Sequence, residues 1–176
     1  MRGPIRPSAA SGAEDGLAAA SPARVALDEV LHAALALALA EPSVHAIALV
    51  GSCARGTPGP DSDVDLVILC AEPDDLCRSG DWVTHFGSVT LVGQRQFGEV
   101  TERRLRRGDG VDIEIGLAPL SWADTDPVDA GTARVVREGF AVVFDPHGTL
   151  ARLAEVVELV EPAGSSGSAT EVRDNT

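Results

Sequence analysis

Asp63 and Asp65 flank Val64 at the mouth of an apolar run, Val64-Asp65-Leu66-Val67-Ile68-Leu69. Side chains on a strand alternate between faces, so both carboxylates share one face while Val64 and Leu66 enter a core. Carboxylates held side by side repel and raise each other's pKa unless a cation sits between them. A hard divalent ion such as Mg²⁺ prefers such oxygens and keeps positions open for waters and phosphates. Upstream, Val44-His45-Ala46-Ile47-Ala48-Leu49-Val50 is too short for a helix and ends on the small-residue turn Gly51-Ser52. It reads as a buried strand. Turn and acids together read as a metal–phosphate site.

Competing readings explain less. Asp61, Asp63 and Asp65 alternate as calcium ligands do, and Glu72 falls at loop position twelve. Position six of such a loop must be Gly, but Leu66 stands there and an apolar run follows. A phosphate loop needs Gly-Lys-Ser/Thr, and the chain has no Lys. A solvated acidic turn accounts for the aspartates but not for the Gly-Ser turn at its distance from them.

The combined pattern resembles the nucleotidyltransferase superfamily typified by DNA polymerase β. Its signature is an apolar residue, Gly-Ser, a spacer, then Asp-x-Asp within a strand. Here Val50-Gly51-Ser52, the ten residues Cys53 to Ser62, and Asp63-Val64-Asp65 fill it. Ala54-Arg55-Gly56 and Ser62 match the form found in minimal and in aminoglycoside nucleotidyltransferases. The resemblance covers residues 24–160. Segments Pro119 to Asp124 and Gly131 to Pro146 are also similar to small stand-alone nucleotidyltransferase-domain proteins.

The resemblance implies that Asp63 and Asp65 hold two Mg²⁺ ions. Gly51 would admit a phosphate close to the backbone, and Ser52 would offer it a hydroxyl and an N–H. Arg55 would contact a phosphate or pair with the surrounding carboxylates. A third carboxylate is implied on a neighbouring strand, and Val111-Asp112-Ile113-Glu114-Ile115 supplies Asp112 and Glu114 on one face. Either could ligate the metal or act as base. A polar-faced edge strand is the structural alternative. Arg103, Arg104, Arg106 and Arg107 precede the Gly108-Asp109-Gly110 turn and face either an anionic substrate or solvent beside the acids.

These residues need a frame. The spacing of Val25, Leu27, Val30, Leu31 and Leu35 predicts a helix from Pro22 to Glu41, ended by Pro42. Strands are expected over 44–50, 64–70 and 88–96. A hairpin is expected to pair 100–107 with 111–118. A short helix over 127–137, a strand over 141–144 and a helix over 148–160 complete the series. The expected fold class is α/β (α+β), a small mixed sheet with acids on one face and helices packed on the other. Trp122 serves either as a base-stacking platform or as core.

The chain has 176 residues, enough for one sizeable core, expected over 23–161. Residues 1–22 and 162–176 are rich in small and polar types and are expected to be disordered. A net charge of −13 argues against a nucleic-acid partner. Cys53, Cys70 and Cys77 show no zinc spacing and read as reduced thiols, so a cytoplasmic location without a membrane span is expected. The helical and RNA-binding modules of larger relatives are not expected after the last helix. The resemblance then implies Mg²⁺-dependent transfer of NMP, AMP from ATP before other NTPs, to a hydroxyl with release of pyrophosphate. The acceptor, a small molecule or a partner protein, would be bound by this domain, by a homodimer or by the partner. The alternative is a non-catalytic nucleotide- or partner-binding protein of antitoxin type.

Overall fold

Helix α1 (Pro22–Ala40) opens on a proline whose fixed φ suits a first turn. The computed structural model describes residues 22–59 and 62–159, so the two terminal segments expected to be disordered lie almost wholly outside the described residues. Val30, Ala34 and Leu37 of α1 recur at helical spacing and are fully buried. Behind α1 the chain enters β1 (Val44–Val50), a one-turn helix α2 (Gly51–Ala54) and β2 (Val64–Cys70). Helix α3 (Pro73–Ser79) and a 3₁₀ turn over Asp81–Phe86 lead to β3 (Val89–Phe97), β4 (Val100–Arg107) and β5 (Asp112–Ala118). A second 3₁₀ turn (Leu120–Ala123), helix α4 (Ala130–Arg137), strand β6 (Phe140–Phe144) and helix α5 (Thr149–Leu159) complete it.

The strands form one mixed sheet in the order β3-β4-β5-β2-β1-β6. Only β2 and β5 run parallel, joined by the long crossover through α3 and the β3–β4 hairpin. The predicted hairpin of β4 on β5 is present, with Arg104 opposite Glu114 and Arg106 opposite Asp112.

Alternation splits the apolar side chains between two cores. Ile47, Leu49, Leu66, Ile68, Ile113 and Ile115 face α1, Trp82 and Phe86. Burying one such side chain contributes about 1.5–3 kcal/mol. The opposite face was expected to carry the acids alone. Instead Ala46, Ala48, Val67, Leu69 and Ala118 pack there under α4, α5 and the second 3₁₀ turn. The small residues Ala46 and Ala48 let Leu150 and Leu153 of α5 come down onto the sheet. Helices therefore cover one face and the β1-side half of the other. Among the described residues, no helix is long and apolar enough to cross a membrane.

Candidate active site

The acids gather where the second helical layer stops. Asp65 on β2 lies in register with Glu114 on the parallel strand β5, so the two side chains are cross-strand neighbours. Asp63 precedes β2 by one residue and Asp112 opens β5, on the same side as their i+2 partners. All four predicted carboxylates thus meet at one corner of the sheet.

Arg104 sits among them. Its Nη2 donates to Asp63 Oδ2 at 2.9 Å and to Asp112 Oδ2 at 3.2 Å, and its Nη1 lies 3.1 Å from Glu114 Oε1. Arg106 holds Asp112 by a two-pronged grip, Nε to Oδ1 at 2.7 Å and Nη2 to Oδ2 at 2.8 Å. The other two arginines of β4 face away: Arg103 bonds the Cys77 carbonyl and sulfur, and Arg107 pairs with Glu29 and Asp109. Sequence alone left the role of this basic cluster open. The β4–β5 register resolves it, because even-numbered residues of β4 stand over the even-numbered acids of β5.

The charge states follow from these neighbours. Burial pushes the Asp65 carboxyl up to about 6, helped by Glu114, Asp63 and Glu102 and opposed by Arg104. Burial also raises Glu114, with Glu102 adding to it and Arg104 opposing. Asp112 moves the other way, because the Arg106 hydrogen bonds hold it below the usual carboxylate range. Of the two candidates for third acid, Glu114 stands beside Asp65 and Asp112 is taken by arginine.

Gly51 has φ +71°, a left-handed conformation, and a Cβ there would lie 2.5 Å from Asp65 Oδ2. Only glycine leaves room for that carboxylate. The Gly51 N–H bonds the Gly139 carbonyl at 3.0 Å, closing the turn onto the start of β6. Gly139, which sequence reasoning missed, is equally constrained: a Cβ would strike the Gly51 carbonyl oxygen. Ser52 stands half-buried in α2. Cys53 Sγ donates to the Asp63 carbonyl at 3.4 Å, tying α2 to the first aspartate. Arg55 does not reach the acids; its guanidinium donates to the Glu138 carbonyl.

A cleft of about 640 Å³ opens beside Asp65 and Glu114, walled by Val50, Phe97, Trp122 and Thr132. Among the described residues its ionisable lining is Asp65, Glu99, Glu102, Glu114 and Asp129, with no basic side chain. Trp122 packs half-buried against the second core and also lines the cleft.

Residues 33–113 match the model of the nucleotidyltransferase domain family, and this segment holds Gly51, Ser52, Asp63, Asp65 and Asp112. This segment, 81 of the 176 residues, is similar to a nucleotidyltransferase domain. Glu114 lies one residue past the match. No curated protein matches the sequence. The domain is similar in structure to an aminoglycoside 6-adenyltransferase from Bacillus subtilis at 14% identity and a TM-score of 0.43, over 57% of this chain and 37% of that one. It is similar to terminal uridylyl transferase 4 from Trypanosoma brucei with bound GTP at 21% identity and a TM-score of 0.38, over 53% and 30%. A toxin–antitoxin structure with AMP-PNP aligns at 13% identity and a TM-score of 0.37, over 76% and 85%. The chain thus spans about a third of the length of the first two, 37% and 30%.

The donors at this corner fit a hard divalent cation. They are carboxylate oxygens set close together, and they already hold one positive group. Among the described residues, no three His, Cys, Asp or Glu side chains are placed to enclose a metal ion as they stand. The guanidinium of Arg104 stands among Asp63, Asp112 and Glu114 instead.

Proposed function

We propose that the domain transfers a nucleoside monophosphate, AMP from ATP, to a hydroxyl of a small molecule or partner protein and releases pyrophosphate. The observation that carries this reading is the in-register pair Asp65 and Glu114, with Asp63 beside them, packed against the Gly51 turn. Asp63, Asp65 and Glu114 would hold two Mg²⁺ ions, which when bound neutralise the triphosphate and acidify the acceptor hydroxyl. Gly51 keeps the backbone open toward the phosphates, and Ser52 offers them its hydroxyl and N–H. Arg55 acts on the Gly51 turn through Glu138, holding it in place.

The acceptor oxygen forms a bond to the α-phosphorus, and the bond from that phosphorus to the bridging oxygen breaks. The acceptor's proton passes to Glu114 or to solvent water. Acceleration comes from positioning and charge neutralisation. Among the described residues the cleft beside Asp65 is lined by acids and by no basic side chain, which suits a neutral or cationic acceptor, or a basic protein, over nucleic acid.

One observation favours a second reading, a non-catalytic nucleotide- or partner-binding protein. Arg104 already supplies a cation to three of the acids. The purified protein, Mg²⁺ and α-phosphate-labelled ATP, incubated with lysate of its source, decide between the two. Label on an acceptor that disappears with Asp63→Asn/Asp65→Asn supports transfer. Mg²⁺-dependent nucleotide binding without labelling from any of the four NTPs supports the binding protein.

A further inference from the structure

We propose that Arg104 is a resident counter-ion of the acid cluster, which holds Asp63 and Glu114 in the metal-free protein and must leave before a divalent ion binds. This rests on the reading of Asp63, Asp65 and Glu114 as metal ligands. One guanidinium reaches Asp63, Asp112 and Glu114 from a neighbouring strand, at 2.9, 3.2 and 3.1 Å. It therefore uses oxygens that a metal would need. A guanidinium stays charged at any physiological pH, so it cannot be neutralised in place; it must move.

The surroundings allow that movement and not its neighbour's. Arg104 has a side chain about one-third exposed, 35%, so part of it is open to solvent. Its contacts are divided among three carboxylates, whereas Arg106 grips Asp112 alone with paired bonds. Loss of Arg104 thus frees Asp63 and Glu114 while Asp112 keeps its partner. The arrangement makes Arg104 a positioning residue with two effects of opposite sign. It orders the acids, and it competes for them.

Competition lowers the apparent metal affinity by the fraction of molecules in which the latch is open. If the latch is closed about nine-tenths of the time, its removal tightens binding about tenfold. A side chain that only supported the fold would give the reverse, weaker binding on removal.

The test is a titration of the intact chain with Mn²⁺ alone, without nucleotide, followed by the electron-paramagnetic signal of free Mn²⁺. Arg104→Gln is expected to bind about tenfold more tightly, and Arg104→Lys, which keeps the charge but loses the fork, to lie between. The intact protein adds a readout that needs no variant at the arginine. Its Arg104 guanidinium resonances are expected to shift on addition of Mg²⁺ and to stay put in Asp63→Asn/Asp65→Asn. Unchanged or weaker Mn²⁺ binding by Arg104→Gln, with binding still abolished in the aspartate variant, overturns the competition and spares the metal site. Binding indifferent to the aspartates, or none in any variant, overturns both.

Discussion

Two neighbouring strands deliver the same pattern, acid-x-acid, to one corner of the sheet, yet the acids they carry are not equivalent. Asp63 and Asp65 enter from β2, whose other neighbour there is β1, a strand with no arginine or carboxylate. Asp112 and Glu114 enter from β5, whose other neighbour is the arginine-bearing β4. Burial, with Glu114 and Asp63 adding to it, pushes Asp65 up to about 6, while the Arg106 hydrogen bonds hold Asp112 low. Identical spacing sets which way a carboxylate points; the adjacent strand sets which charges stand next to it.

The largest effect that sharpens this contrast is on turnover. Asp65→Asn is expected to lower NMP transfer on the order of 10³-fold, read from labelled product in single turnover, since a preorganised charge at the reacting centre is lost. The same variant is expected to raise the melting temperature of the metal-free protein, because a neutral amide relieves a buried carboxylate among Glu114, Asp63 and Glu102. An Asp65→Asn protein that is both inactive and less stable would break the contrast.

Glu114→Gln is expected to cost on the order of 10²-fold in turnover. Asp112→Asn should change it only a few-fold and should show mainly as lost stability. Breaking a charged hydrogen bond there leaves Arg106 unpaired, at a cost of about 1–3 kcal/mol in chemical denaturation. Equal losses of activity in the two variants would mean that β4 does not distinguish them.

Gly51→Ala tests the cradle. A Cβ at φ +71° that lies 2.5 Å from Asp65 Oδ2 must displace the turn or the carboxylate. Stability is expected to fall by about 1–3 kcal/mol, with a loss of metal binding that the melting curve alone would not reveal.

The smallest effect is the pH dependence of the metal-free protein. The folded pKa of Asp65, about 6, exceeds its ordinary value of 3.8, so the folded state binds the proton more tightly. Its contribution to stability is therefore present below pH 3.8 and is lost as pH rises toward about 6. On the order of 1 kcal/mol is expected after solvent screening, visible as a slope that Asp65→Asn abolishes. Asp112, held low by Arg106, contributes the opposite slope, with stability lost as pH falls.

Most of the frame was legible before any coordinates. The runs over 44–50 and 64–70 became β1 and β2 with those bounds, because short apolar stretches between turn formers have few alternatives as strands. Helix α3 was not read from Pro73-Asp74-Asp75-Leu76-Cys77-Arg78-Ser79, since a seven-residue helix with Leu76 its one buried residue leaves almost no periodicity. The helices over 127–137 and 148–160 were expected and are present, but their packing on the acid-bearing face was not. Ala46 and Ala48 look like weak strand formers in isolation, and their smallness makes sense only once α5 lies against them.

What the residues alone determined is the chemistry on offer: carboxylates in alternation, a glycine turn before them, and the faces to which period-two strands send each side chain. Those are local properties, settled by backbone geometry within a few residues. Tertiary structure decided which strands became neighbours, and with that the partners of each charge. Glu114 stands beside Asp65 only because a long crossover returns β5 parallel to β2. Arg104 lies over the acids only because the β4–β5 turn sets the register that faces it there. Electrostatic interactions depend on distance in space, and residues 63, 104 and 114 come within reach of one another only in the folded sheet.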